Sequence, residues 1–563
     1  MENVIYFISD IIIALGALVS IILGLKAKED DTENSAVKKA GLKPAKNDDF
    51  KRKKAPWTPG RQLSFLNIVL FLALFSFVPF FADFLKLSGL QNIFGLSNFI
   101  SFTPFEDYTG TLFEGSVIIS PLALLFKFLI VSAAFFTSLL SFSFVKVLNQ
   151  KTANYTTLFL FGVLGGLFIP VSNDFLTLFI SIEIISTALF FLIANFSNKK
   201  EEKRQSLKTD CTGDSIGNGM GYGAPLEASV KYFITGGISS AFMLLAISYI
   251  YLHLGTLNFS DIGILAVNKL LPQSPLLNAA EVLFFTALVF KIGAYPFYLW
   301  VMDVFKGSNY SMGLFITSVV ETAGFAALVK TSLVLGYFGS IVSFALILCA
   351  VLTLVLGNLF AFRIVKKEGG IKDFLASSSI ANSGYIFLGI SFFTGGAVCA
   401  SIFFLIVYLV MNFGLWAGFM LVARNLKGDV QKDTEVIPSL RGLAYISPAF
   451  AATFTICLLS FAGFPVMAGF GAKFYLFVEI LRSGVWAVYP LLFAAFASIL
   501  AVYYYFKIVY YMFLKPVDLK LFKKNAIFNK TNVFTFILMI SAAMLIVLFF
   551  FGGPVIKVLG EII

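Results

Sequence analysis

Apolar runs of about twenty residues, broken by short polar or charged stretches, recur from one end of the chain to the other. Each run predicts a helix long enough to cross a hydrocarbon layer of roughly 30 Å. The weak ten-residue alternation of an outer-membrane barrel is absent. The runs cover 4–25, 64–88, 116–145, 156–172, 174–195, 227–253, 278–300, 309–335, 338–361, 372–394, 398–423, 446–480, 485–513 and 532–556. The expectation is therefore an all-α integral membrane protein of about fourteen transmembrane helices. The first run follows an acidic residue and has no small-residue cleavage site after it, so it reads as a retained helix and not a signal peptide.

Basic residues test the count, because Lys and Arg gather in cytoplasmic loops. They crowd the loops after the first, third, fifth, ninth, eleventh and thirteenth runs, and the intervening loops are almost free of them. This alternation places both termini on the non-cytoplasmic side. Two cytoplasmic loops read as insertions, 26–62 and 198–224. Neither holds enough apolar surface to offset chain entropy, so both are expected to be mobile. The Gly-rich part of the second lacks the strand, helix and Lys of a phosphate loop.

Composition agrees with the pattern. Of 563 residues, 58% are hydrophobic and 13% charged, and the mean hydropathy is +0.89, which excludes soluble enzymes, nucleic-acid binders and disulfide scaffolds. The net charge of +11 sits in loops, where it sets orientation. Four dispersed cysteines and one histidine, His253, support no iron-sulfur, zinc or haem site. His253 reads as an interfacial side chain, and the 68 phenylalanines as packing and lipid-facing mass.

Chemistry then rests on ionisable residues inside the runs, since each is costly there without a partner or a wet cavity. They are Lys127, Glu183, Lys231, Lys291, Glu321 and Lys473. Glu183 stands among uncharged residues, with no partner on its own helix. The plain alternative is a packing carboxylate bonded to a neighbour's hydroxyl. Lys291 precedes Gly293 and Pro296, which break the helix beside it. Gly463, Pro465, Gly469 and Gly471 likewise loosen the helix that carries Lys473. Broken helices at matching places in two halves mark an ion path, because freed backbone is tolerated only beside a polar cavity. The two sites lie about 180 residues apart, which fits two five-helix units related by internal repetition. Lys231 reads either as a proton-uptake group or as a snorkelling side chain, and Lys127 as a packing or interface lysine.

The segments LEASVKYF, FKIGAYPFYLWVMDVFKG, NLFAFR, SSSIANSGYIFLGI, RGLAYISPAFA and FAGFPVMAGFGAKFYLF, in this order, resemble the proton-translocating antiporter-like subunits of respiratory complex I, and among them the chain-N type of NADH-quinone oxidoreductase. The resemblance spans about residues 115 to 515. It implies two inverted five-helix repeats with helices 7 and 12 broken, the first half in 116–335 and the second in 336–515. Residues 1–115 would then form N-terminal helices and 516–563 a terminal loop and helix. It also implies a proton relay with roles on Glu183, Lys291, position 321 and Lys473, and proton uptake at Lys231. Two departures stand out: Glu321 replaces a lysine usual in that family, and Tyr298 replaces a histidine. The resemblance further implies no cofactor in this chain, with flavin and iron-sulfur clusters in partner subunits of the membrane and peripheral arms, a bacterial inner-membrane location, a lipid environment and no nucleic acid. A multi-subunit cation/proton antiporter, a membrane-bound hydrogenase subunit and an inactive scaffold are the alternatives.

Overall fold

The computed structural model describes residues 7–22, 59–78, 80, 110–145, 152–195, 224–268, 274–335, 340–426, 437–516 and 532–562. The insertions expected at 26–62 and 198–224 lie outside these residues, apart from 59–62 and 224.

The helices are α1 (Ile8–Ile22), α2 (Pro59–Phe75), α3 (Pro121–Val145), α4 (Thr152–Val171), α5 (Phe175–Asn195), α6 (Ala224–Leu254), α7 (Phe259–Val267), α8 (Pro275–Ile292), α9 (Leu299–Gly307), α10 (Tyr310–Phe315), α11 (Glu321–Leu335), α12 (Ser340–Lys366), α13 (Ile371–Ile390), α14 (Gly395–Asn425), α15 (Pro448–Ala462), α16 (Ala468–Arg482), α17 (Val488–Leu514) and α18 (Val533–Ile562). Ten helical segments among the described residues are long and apolar enough to cross a membrane. Every expected run contains a helix.

Three local features differ from the expectation. The run drawn from residue 116 opens as a hairpin, β1 (Gly110–Leu112) paired antiparallel with β2 (Val117–Ile119), and the helix starts at Pro121. Proline suits a first helical position because its missing N–H would be unpaired there anyway. One π turn, Ile316–Val320, joins α10 to α11 directly before Glu321. Gly469 and Gly471 do not loosen the helix but lie inside α16, and the break is confined to 463–467.

The two breaks are built alike. In the first, Gly293 has φ +75°, its N–H donates to Phe290 O (2.9 Å) and that of Ala294 to Val289 O (3.1 Å). In the second, Gly463 has φ +79°, its N–H donates to Ser460 O (3.0 Å) and that of Phe464 to Leu459 O (3.0 Å). Glycine takes this left-handed conformation without a Cβ penalty, and the two bonds satisfy carbonyls left open at the helix end. Trp300 Nε1 donates to Phe290 O (3.0 Å), and Tyr295 N–H finds Thr353 Oγ1 (2.8 Å), so the first gap stays polar but paired.

Helix α13 is the least apolar of the long central helices, yet Phe374 through Ile390 are all buried. Its serines and asparagine bond within the protein: Ser377 to Asp373 O, Asn382 to Ser378 O, Ser383 to Ile380 O. It packs against α9, α11, α12, α14 and α16, which makes it a polar spine between the broken helices. One contiguous apolar core joins helices from α1 to α18.

Candidate functional site

Glu183 comes from the middle of α5, and its partner comes from α8. Lys291 Nζ donates to Glu183 Oε1 (3.0 Å), to Ser186 Oγ (3.0 Å) and to Ser240 Oγ (3.4 Å). Ser186 lies one turn beyond Glu183 on the same helix face, and Ser240 of α6 donates to Glu183 Oε1 at 2.6 Å. Three helices therefore hold one ammonium and one carboxylate together, directly before the break at Gly293. The lysine side chain is 8% exposed and the glutamate 33%. The carboxylate is the more accessible half of the pair.

Glu321 lies deeper. It opens α11 just after the π turn and accepts from Ser379 Oγ of α13 and from Tyr408 Oη of α14 (3.0 Å). The π turn is itself pinned: Asn412 Nδ2 donates to Thr317 O (3.1 Å) and Oγ1 (2.8 Å), and Ser318 meets Thr137 (2.8 Å). Such single-turn distortions frequently mark functional sites; here the distortion sits immediately ahead of the buried carboxylate.

Lys473 sits in α16 after its break, whereas Lys291 sits in α8 before its own, so the repeat is not literal in sequence. Geometry restores the likeness. Lys473 reaches back so that Nζ donates to Phe461 O (3.0 Å), a carbonyl at the end of α15, and lies 4.8 Å from the Tyr385 ring centre. A helix C-terminus carries partial negative charge and an aromatic face attracts a cation. These replace the carboxylate that Lys291 has.

Among the described residues no hydrogen bond or ion pair joins Lys291 to Glu321, or Glu321 to Lys473. Hydroxyls of α13 next to these two groups pair with α17: Ser378 meets Tyr505 Oη (2.5 Å), Tyr385 Oη meets Ser498 (2.7 Å), and the Tyr505 ring stacks on Phe461. Lys231 is half-exposed near the start of α6, paired with Glu227 (2.8 Å) and Asp303 (3.5 Å) of α9. Tyr298, the other departure, opens α9 and packs on Tyr295 and Phe360.

Sequence reasoning missed several buried charges. Lys127, singled out as a packing or interface lysine, is fully buried, and its partner Asp10 of α1 (2.5 Å) is a charge that was missed. Glu281 in α8 is fully buried with neither oxygen bonded. Lys330 in α11 donates to Pro170 O (2.8 Å), and Glu479 in α16 pairs with Arg482 (2.6 Å). All lie inside runs already marked as spans, so a complete census of charged positions would have found them. His253 bridges Tyr249 O and Ser274 Oγ at the end of α6. Among the described residues no group of three or more His, Cys, Asp or Glu is placed to hold a metal ion.

Residues 221–501 match the family described as NADH:quinone oxidoreductase/Mrp antiporter, transmembrane. The chain is 30% identical over 439 residues to NADH-quinone oxidoreductase subunit N of Trichlorobacter lovleyi, covering 77% of this chain and 82% of that one. A chain in the structure of respiratory complex I from Thermus thermophilus with bound aureothin superposes with a TM-score of 0.66 at 22% identity, over 98% of each chain. A chain of the membrane-bound sulfane sulfur reductase, an archaeal respiratory complex, gives 0.72 at 21% identity, over 98% of this chain and 97% of that one. The two structures share the fold.

Proposed function

From the premise that the chain belongs to the family of NADH-quinone oxidoreductase subunit N, antiporter-like membrane subunits of complex I, we propose that it translocates protons along Glu183, Lys291, Glu321 and Lys473, driven by quinone reduction in partner subunits. The observation that carries this reading is the Lys291–Glu183 pair, 3.0 Å apart beside a broken helix in the membrane interior. Charges so placed are costly and are kept for ion paths.

The mechanism follows from charge. While Glu183 is near, it compensates the Lys291 ammonium; at an effective dielectric near 20 two unit charges about 4 Å apart attract by about 4 kcal/mol. Withdrawing or protonating the carboxylate leaves a buried cation uncompensated, and Lys291 then gives up its proton. Glu321 receives it, by way of water, in a site where the Ser379 and Tyr408 hydroxyls donate to its carboxyl oxygens. Lys473 takes it next, stabilised by the Phe461 carbonyl and the Tyr385 ring, and releases it to the far side. Lys231, with Asp303 and Glu227, gathers protons at the cytoplasmic end. The chain itself contributes no redox group in this reading; flavin and iron-sulfur clusters belong to partners of the peripheral arm, and neighbouring membrane-arm subunits flank this one in the lipid.

The test replaces Lys291 with Ala, and separately Glu183 with Ala, in the assembled complex in proteoliposomes. Proton translocation and coupled quinone reduction should fall by about tenfold or more, the scale of a lost proton-transfer group, with the subunit still inserted. Wild-type pumping by either variant would overturn the relay.

A further inference from the structure

Beyond Lys473, helix α16 carries a charged pair that the relay above does not use. Glu479 lies six residues further on, about 9 Å along the axis. Its side chain is 9% exposed, whereas that of its partner Arg482 is 71% exposed. The pair thus has one end inside the protein and one in the surroundings at the last turn of the helix. Side chains of a helix lean toward its N-terminus, so the carboxylate leans back toward the turn that follows Lys473.

The neighbours are shaped for this carboxylate. It faces the start of α14, where a Cβ on Gly396 would overlap Glu479 Oε2; the glycine leaves the space that the carboxylate fills. Ser483 Oγ donates to Glu479 O (3.3 Å) and meets Thr394 Oγ1 (3.2 Å), adding hydroxyls at the same end. Among the described residues Lys473 has a carbonyl and a ring as partners but no carboxylate, so an acceptor is needed downstream of it. Among the described residues of α16, Glu479 is the one carboxylate.

We propose that Glu479 is the proton-release group of the second half-channel, with Arg482 as its counter-charge. This rests on the relay reading above. The Lys473 N–H bond breaks and a Glu479 O–H bond forms, through intervening water; that O–H bond then breaks to bulk water at the end of α16. Both groups return to their starting charge.

Proton translocation and quinone reduction are measured together in proteoliposomes holding the assembled complex. Glu479→Gln keeps the shape and the bond from Arg482 but cannot carry the proton, and it should lower translocation by about tenfold. Glu479→Asp should restore most of it. Gly396→Ala, which keeps the carboxylate but crowds it aside, should also pump less than wild type. A merely structural link between α16 and α14 would instead lower the yield of assembled complex and leave the pumping of the assembled fraction unchanged. If Glu479→Gln pumps normally while Lys473→Ala does not, the release role is overturned and the relay stands. If Lys473→Ala also pumps normally, the relay itself falls. Should Glu479→Gln fail to assemble, Arg482→Gln decides, since its side chain is exposed: slowed translocation supports the role and wild-type translocation overturns it.

Discussion

Among the described residues the Glu321 carboxylate has two donors, Ser379 of α13 and Tyr408 of α14, and no basic partner. A glutamine there keeps one acceptor oxygen and nearly the same volume, so stability should change by only about 1 kcal/mol. Its effect on proton transfer should be large, because the titratable group is gone. Glu321→Lys restores the residue usual in the family, yet places a cation where both hydroxyls are arranged to donate. It should pump less than wild type. The check is translocation by the two variants at matched expression. Wild-type pumping by Glu321→Gln would make this carboxylate a packing group, and wild-type pumping by Glu321→Lys would mean that any protonatable side chain serves.

Among the elements, the two breaks carry the greatest demand on sequence. At Gly293 the backbone is left-handed and a Cβ would run into Val301 of α9, so Gly293→Ala combines backbone strain of about 1 kcal/mol or more with a clash. The expected result is a lower thermal midpoint of the purified complex and slower pumping, since α9 and the Lys291 turn shift together. An unchanged midpoint would show that the break adapts freely. Both breaks were legible in the sequence because Gly and Pro near a lysine have few other uses inside a membrane helix. The position of the span helices was legible for the same kind of reason, continuous hydropathy. Two elements were not. The π turn before Glu321 has no marker in ITSVV, and the bonds that pin it come from Asn412 and Thr137, far away in sequence. The hairpin at 110–119 was hidden because a short apolar strand running into an apolar helix has no boundary in hydropathy. Of the site, the charge list was legible and the partners were not: Glu183 and Lys291 are 108 residues apart, and only the packing of α5, α6 and α8 brings them together. Asp10 escaped because one acidic residue in a terminal run looks like a flank, although it pairs with Lys127 in the interior.

Across the molecule, charged residues of six loops or helix ends meet at one end. Lys231 reaches Asp303, Lys306 reaches Asp373, Lys372 Nζ donates to Ser308 O, Arg441 pairs with Glu368, and Lys507 Nζ donates to Lys366 O. Glu368 in the turn between α12 and α13 illustrates the belt: the Tyr511 hydroxyl, and then the Arg441 guanidinium, hold its carboxyl below the usual carboxylate range. A carboxyl depressed in the folded state stabilises above its unfolded pKa, about 4.3, and that contribution disappears as pH falls through the folded value. Glu368→Gln should therefore lower the thermal midpoint slightly at pH 7, and the difference from wild type should shrink as pH falls below about 4.3 and vanish below the depressed folded value. The group is partly exposed, so the effect is small. The same belt fixes the expected orientation. Loops rich in Lys and Arg stay cytoplasmic, so single cysteines placed at Lys306, Lys367 and Arg441 should react with an impermeant thiol reagent only from the cytoplasmic face. A cysteine at Val485, 90% exposed just past the end of α16, should react only from the other. Reaction of both sets from one side would contradict the segregation of charge that the fold displays, and reaction of the two sets from exchanged sides would invert the direction in which Lys473 delivers its proton.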